Sequence, residues 1–103
     1  MSEENNARDS RQALRSQLAI IKQLRKLAFD DPSYEEWRVH TGQILDQIFG
    51  QVQSEQHPCT KAFLNYRIPE HFTATREQMQ EYYRNILNYQ ADLLKAYLDD
   101  TPD

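Results

Sequence analysis

The sequence predicts an all-α domain, a bundle of three to four helices: a long first helix, a second, a short third and a long fourth. Three observations predict it. Apolar residues recur at three- and four-residue spacing through three long stretches, which places them on one face of a 3.6-residue period. Only two glycines occur in 103 residues, too few for the tight turns of a many-stranded β fold. Helix start and stop signals punctuate the periodic stretches. The organisation expected is a disordered N-terminus over residues 1–8, one helical domain over 9–99 and a frayed acidic tail over 100–103.

The first helix is expected over residues 9–29, with Leu14, Leu18, Ile21, Arg25 and Ala28 on one face. Ile20, Leu24 and Leu27 widen that stripe, and a stripe so wide buries against more than one neighbour. Asp30-Asp31-Pro32-Ser33 then breaks the pattern, because a proline ring lacks the donor a helix interior needs. The second helix starts either with Asp31 as cap and Pro32 in the first turn, or with Ser33 and Glu36 as a capping box. Its apolar stripe is Tyr34, Trp37, Thr41, Ile44, Leu45 and Ile48, and Gly50 supplies the stop. Gly42, inside this helix, costs about 1 kcal/mol relative to Ala; a close helix crossing or chance accounts for it.

A polar connection, QVQSEQHPCT, follows. Pro58 can open a short third helix to about Asn65 that buries Ala62 and Phe63. Residues 66–72 are expected to be irregular, since Ile68 precedes Pro69 and is pushed towards extended geometry. Thr75 with Gln78 makes a capping box for the fourth helix. Met79, Tyr82, Tyr83, Ile86, Tyr89, Leu93 and Tyr97 mark its buried or partly buried face, as far as about Leu98. Helices 1, 2 and 4 are expected to form the bundle, with the third plugging one end.

The net charge of −4 is unevenly distributed. Residues 1–29 hold six Lys or Arg against three acids, and the remainder holds six against thirteen. A basic segment on an acidic body can bind an acidic partner, a nucleic acid or its own domain. The longest apolar run, residues 18–21, is far too short to span a membrane. The polar start is not read as a secretion signal, and the single Cys59 cannot form an internal disulfide. A cytoplasmic setting without membrane association is expected.

Chemical motifs are sparse. Cys59 with His57 or His71 is the one nucleophile-and-base candidate, and the same three residues are the one metal-ligand candidate, at a spacing unlike zinc patterns. Paired carboxylates such as Glu35-Glu36 and Asp99-Asp100 are sequence neighbours and do not face each other on a helix. Neither glycine belongs to a phosphate-binding loop. No catalytic residue, metal or cofactor is assigned, and an enzyme is not expected.

Six tyrosines are the unusual component. Tyr82, Tyr83, Tyr89 and Tyr97 on the fourth helix suit core and interface packing. On the first helix Arg8, Arg11 and Arg15 step by three and four residues, and Lys22 and Lys26 continue the basic face. These seven tyrosines and arginines are the candidate partner-binding residues, since aromatics and arginines commonly anchor interfaces. The basic face is also a nucleic-acid patch without base readers, so such binding would be weak, non-specific and salt-sensitive.

Trp37, Arg38, Thr41, Leu45, Ile48, Phe49 and Gly50 fit W-(K/R)-x-x-T-x-x-x-L-x-x-I-F-G. Ser54, Phe63, Tyr66 and Phe72 continue it, and a tyrosine-bearing last helix follows. The pattern resembles a small bacterial helical module found ahead of TIR-like nucleotide-binding effector domains in predicted antiviral defence proteins. The likeness covers residues 14–98, mostly at core positions. The connection after Gly50, with His57-Pro58-Cys59, is longer than that module's, and no effector domain is expected within these 103 residues. The resemblance implies a helical adaptor or oligomerisation unit and lends no catalytic residue. The expected function is thus non-enzymatic protein–protein interaction, with self or with an effector and including a homodimer, in a bacterial defence setting. The alternatives are a nucleic-acid-binding accessory protein using the first helix and a small inhibitor that docks a host protein.

Overall fold

The computed structural model describes residues 3–69 and 73–101, with side chains from Asp9 onward. Among the described residues the chain runs α1 (Glu3–Leu24), α2 (Pro32–Phe49), β1 (Gln51–Val52), β2 (Glu55–Gln56), α3 (Pro58–Asn65) and α4 (Arg76–Asp100). The all-α bundle expected from the sequence is what forms, with a long first and last helix. The helices associate as two pairs, α1 with α4 and α2 with α3, and these pairs share one core.

Helix α1 begins before Asp9 and ends at Leu24 rather than at residue 29. Its last turn tightens to i→i−3 bonds, Lys26 N–H to Gln23 O at 3.1 Å and Leu27 N–H to Leu24 O at 3.0 Å. Side chains of α4 then take over from the helix ladder. The Tyr83 hydroxyl donates to Leu24 O at 2.6 Å, and the Gln80 amide donates to Leu27 O and accepts from Phe29 N–H, both at 2.9 Å. Arg25 and Ala28, expected on the buried face, are therefore exposed.

Asp31 is the cap of α2, its carboxylate accepting from Ser33 N–H at 2.9 Å with Pro32 in the first turn. That bond holds the Asp31 carboxyl below its usual range. Tyr34, Trp37, Thr41 and Leu45 are buried, whereas Ile44 and Ile48 lie half-buried at the margin. Gly50, at φ 70°, closes α2 with its N–H on Asp46 O. The polar connection is not wholly irregular: β1 and β2 form a two-residue antiparallel ladder. Its turn places Gln53 and Ser54 both at positive φ, the requirement of a type I′ turn, filled here without glycine.

Helix α3 does more than plug an end. It lies along α2 so closely that a Cβ on Gly42 would meet Leu64 Cδ2 at 2.7 Å, so Gly42 does mark a close helix crossing. It also inserts fully buried Phe63 against Trp37, ring centroids 5.5 Å apart. Tyr34 continues the aromatic core, edge-on to Tyr83 at 5.4 Å. Two buried amides bind the elements together. Gln17 Oε1 accepts from Thr41, and its carbonyl accepts from the Trp37 indole. Gln90 Oε1 accepts from the Tyr34 hydroxyl at 3.0 Å, and its Nε2 donates to Phe63 O and Tyr66 O.

The expected Thr75–Gln78 capping box opens α4 with both bonds present. Its buried face is Met79, Tyr83, Ile86, Leu87, Gln90, Ala91, Leu94 and Tyr97. Tyr82 and Tyr89, expected on that face, fall one position away from it and are exposed.

Candidate functional site

The seven candidate residues divide three ways. Tyr83, 0% exposed, and Tyr97, 6%, belong to the core. Their hydroxyls donate to Leu24 O and Cys59 O, at 2.6 and 2.8 Å. Burial pushes both phenols up to about 12. Neither offers a surface to a partner, so their assignment as partner-binding residues is corrected: a core phenol with a satisfied hydroxyl packs the fold. Tyr82, 46% exposed, and Tyr89, 57%, remain available on the outer face of α4. Tyr89 stacks on Tyr66 with centroids 5.7 Å apart, a contact that steadies both rings.

The arginines also differ from one another. Arg8 lies outside the residues whose side chains are described. Arg11 reaches across to the end of α4, its Nη1 donating to Leu98 O and Thr101 O, both at 2.7 Å. It thereby satisfies carbonyls left over at a helix C-terminus and sets a cation against the negative end of the dipole. Arg11 is thus a structural cap, since its guanidinium is committed within the fold. Arg15 is exposed and lines a groove between α1 and α4.

That groove is the most distinctive surface feature. It encloses about 360 Å³, and Leu18, Ile21 and Ala91 form its apolar floor. Arg15, Lys22, Arg25 and Lys95 rim it, with no acidic residue in its lining. The floor exists because Leu18 and Ala91 lie at the edges of the two buried stripes, where the helix surfaces diverge. Arg25 is held against α4 by its bond to Asn88 Oδ1. The sequence pattern identified Arg15, Lys22 and Lys26 as one face. It missed Arg25, read as part of the core face, and Lys95, whose neighbours become visible only once the antiparallel packing of α1 on α4 is known.

A second cleft, of about 320 Å³, lies beside the α1–α2 link over Phe29, Tyr34 and Ile68. Most of its charged groups are already engaged: Asp31 in the cap, Asp30 with Arg76, and Arg38 with Glu35 at 2.8 Å and Leu64 O at 2.9 Å. Burial raises the Tyr34 phenol well above its ordinary value, so this hydroxyl serves as a neutral donor to Gln90.

The nucleophile candidate is taken up locally. His57 caps α3, its Nδ1 accepting from Cys59 N–H at 3.0 Å, and its ring stacks on Phe49 at 4.9 Å. His57 therefore faces the Cys59 backbone rather than its thiol, and His71 lies outside the described residues. Among the described residues no group of three or more His, Cys, Asp or Glu could hold a metal ion, and no helix is long and apolar enough to cross a membrane. The chain matches no protein-family model, no curated protein and no solved structure.

Proposed function

We propose that this chain is a non-enzymatic helical interaction module that self-associates, serving as an accessory component of a bacterial defence system. The observation that carries the interaction reading is the α1–α4 groove, with exposed cations around an apolar floor. A charged rim around a floor of half-buried Leu18 over buried Ile21 and Ala91 suits a partner that brings complementary charge. The defence setting rests on the resemblance of the Trp37-to-Gly50 motif. A cytoplasmic site of action, and a protein partner that is self or effector, belong to the same proposal.

The basic rim supports a second reading, binding of nucleic acid by α1. Arg11 and Arg25 are engaged within the fold, which leaves Arg15, Lys22 and Lys26, among the residues of α1 whose side chains are described, as phosphate contacts of such a complex. Few contacts give weak binding with a shallow salt slope.

Light scattering behind size exclusion, at low and high salt and over a range of concentrations, tests the self-association reading. A species of twice the chain mass is expected, growing with concentration. A monomer under every condition overturns it. Binding to a random duplex only at low salt would favour the nucleic-acid reading instead.

A further inference from the structure

We infer that the α1–α4 groove, taken above as the binding surface, holds a small, multiply charged anion of the condensed-phosphate class. This rests on the groove being that surface, and it holds whether or not the chain self-associates. Residues 10–29 contain Arg11, Arg15, Lys22, Arg25 and Lys26 and no acid, although carboxylates outnumber cations in the rest of the chain. Packing then sets Lys95 of α4 on the opposite wall. Arg84, exposed and eleven residues earlier, continues the α4 row on the same face.

These charges are not answered within the fold. The ion pairs among the described residues are Glu35–Arg38, Glu55–Lys61 and Asp30–Arg76, all away from the groove. Arg25 shows the difference most clearly. Its guanidinium is tied to the Asn88 side-chain oxygen, a neutral acceptor that fixes its place beside α4 without cancelling its charge. Arg38 and Arg76 are instead set against carboxylates. Asp92 and Asp99 flank Lys95 at three and four residues, one step around the helix from Ala91 and away from the groove.

The surroundings select a compact ligand. The groove encloses about 360 Å³, the lower range of small-ligand sites. Ile21 and Ala91 are buried below the rim and Leu18 is half-buried. A protein segment would find little apolar anchorage there, so affinity must come from charge density. Arg15 and Lys22 stand about 10 Å apart along α1, and packed helices lie about 8–10 Å apart. A chain of two or three phosphates reaches cations on both walls, and arginine forks match its oxygens. A long nucleic acid would overrun the rim and meet Asp92 and Asp99 as repulsion. With the rim neutralised, a protein partner that answers the same charge is displaced.

Calorimetric titration of the full chain with sodium tripolyphosphate at low salt tests this, with orthophosphate as reference. One-to-one binding is expected, about tenfold or more tighter than orthophosphate, and weakening as salt rises. Lys22→Gln and Lys95→Gln should each weaken it by about threefold or more. Arg67→Gln removes an exposed cation outside the groove and should leave affinity within about 1.5-fold. Unchanged helical circular dichroism shows that the variants fold. No binding at millimolar tripolyphosphate overturns the inference, and so does an equal loss in Arg67→Gln, the mark of diffuse attraction. A random oligonucleotide that displaces tripolyphosphate at equal phosphate concentration also overturns it, in favour of nucleic acid. Light scattering on the same samples reads self-association separately. A monomer that binds tripolyphosphate in the groove upholds this site while self-association fails, and a dimer that ignores it does the reverse.

Discussion

Tyr82 and Tyr83 are adjacent in sequence and opposite in role. Tyr83 is fully buried, edge-on to Tyr34 and bonded to Leu24 O, whereas nearly half of Tyr82 faces solvent. Tyr89, two turns on and exposed, and Tyr97, four turns on and buried, repeat the contrast. One helix thus uses the same side chain as core material on its inner face and as surface on its outer face. The difference lies in a single step of rotation, since consecutive helical residues point 100° apart. Tyrosine tolerates both settings because it joins an apolar ring to a polar tip.

Breaking the inner member should cost most. Tyr83→Ala removes a buried ring between α1, α2 and α4, and a loss of about 4 kcal/mol is expected in a urea titration. A loss under 1 kcal/mol would mean that the α4 core lies in a different phase. Gln90→Ala comes next, at about 3 kcal/mol, because the Tyr34 hydroxyl and the Phe63 and Tyr66 carbonyls lose partners in a buried site. Stability of that variant in the same titration checks the value.

Alkaline pH sharpens the contrast without mutation. Tyr83 and Tyr97 keep their protons in the folded state to about 12, against 10.0 for the free group. The folded chain then holds more protons than the unfolded one between those values, so stability falls as pH rises through that window and is fully present below it. Melting temperature followed from pH 9 upward should show the decline, and Tyr83→Phe should make it shallower. At neutral pH Tyr83→Phe should cost only about 1 kcal/mol, since the Leu24 carbonyl keeps the Leu27 N–H. Least of all, Tyr82→Ala should change stability by about 0.5 kcal/mol or less. A larger change in dilute monomer would place Tyr82 in contacts its exposure does not suggest.

The local signals in the chain were legible. Asp31-Pro32, Pro58 and the Thr75–Gln78 pair each begin a helix through bonds made within a few residues, so sequence alone suffices to read them. What was hidden depends on distant partners. The early end of α1 is set by Tyr83 and Gln80, more than fifty positions away. The phase of α4 is masked by Gln90, a polar residue in the centre of the buried stripe, and by paired tyrosines that fit either phase. Gln53 and Ser54 take left-handed conformations that their residue types do not advertise. Of the candidate surface, the α1 half could be read from arginine and lysine spacing. The α4 half could not, because Lys95 gains meaning only once Ala91 is known to face α1.

The Gln80 amide, fixed on Leu27 O and Phe29 N–H, also changes how the segment between α1 and α2 should behave in time. A connecting segment ordinarily opens by itself, and its amides trade hydrogen for deuterium early. Here the Phe29 amide is released only when the start of α4 lifts away. It should therefore exchange at the pace of the last helix rather than at that of a loop, and removing one glutamine side chain should separate the two clocks.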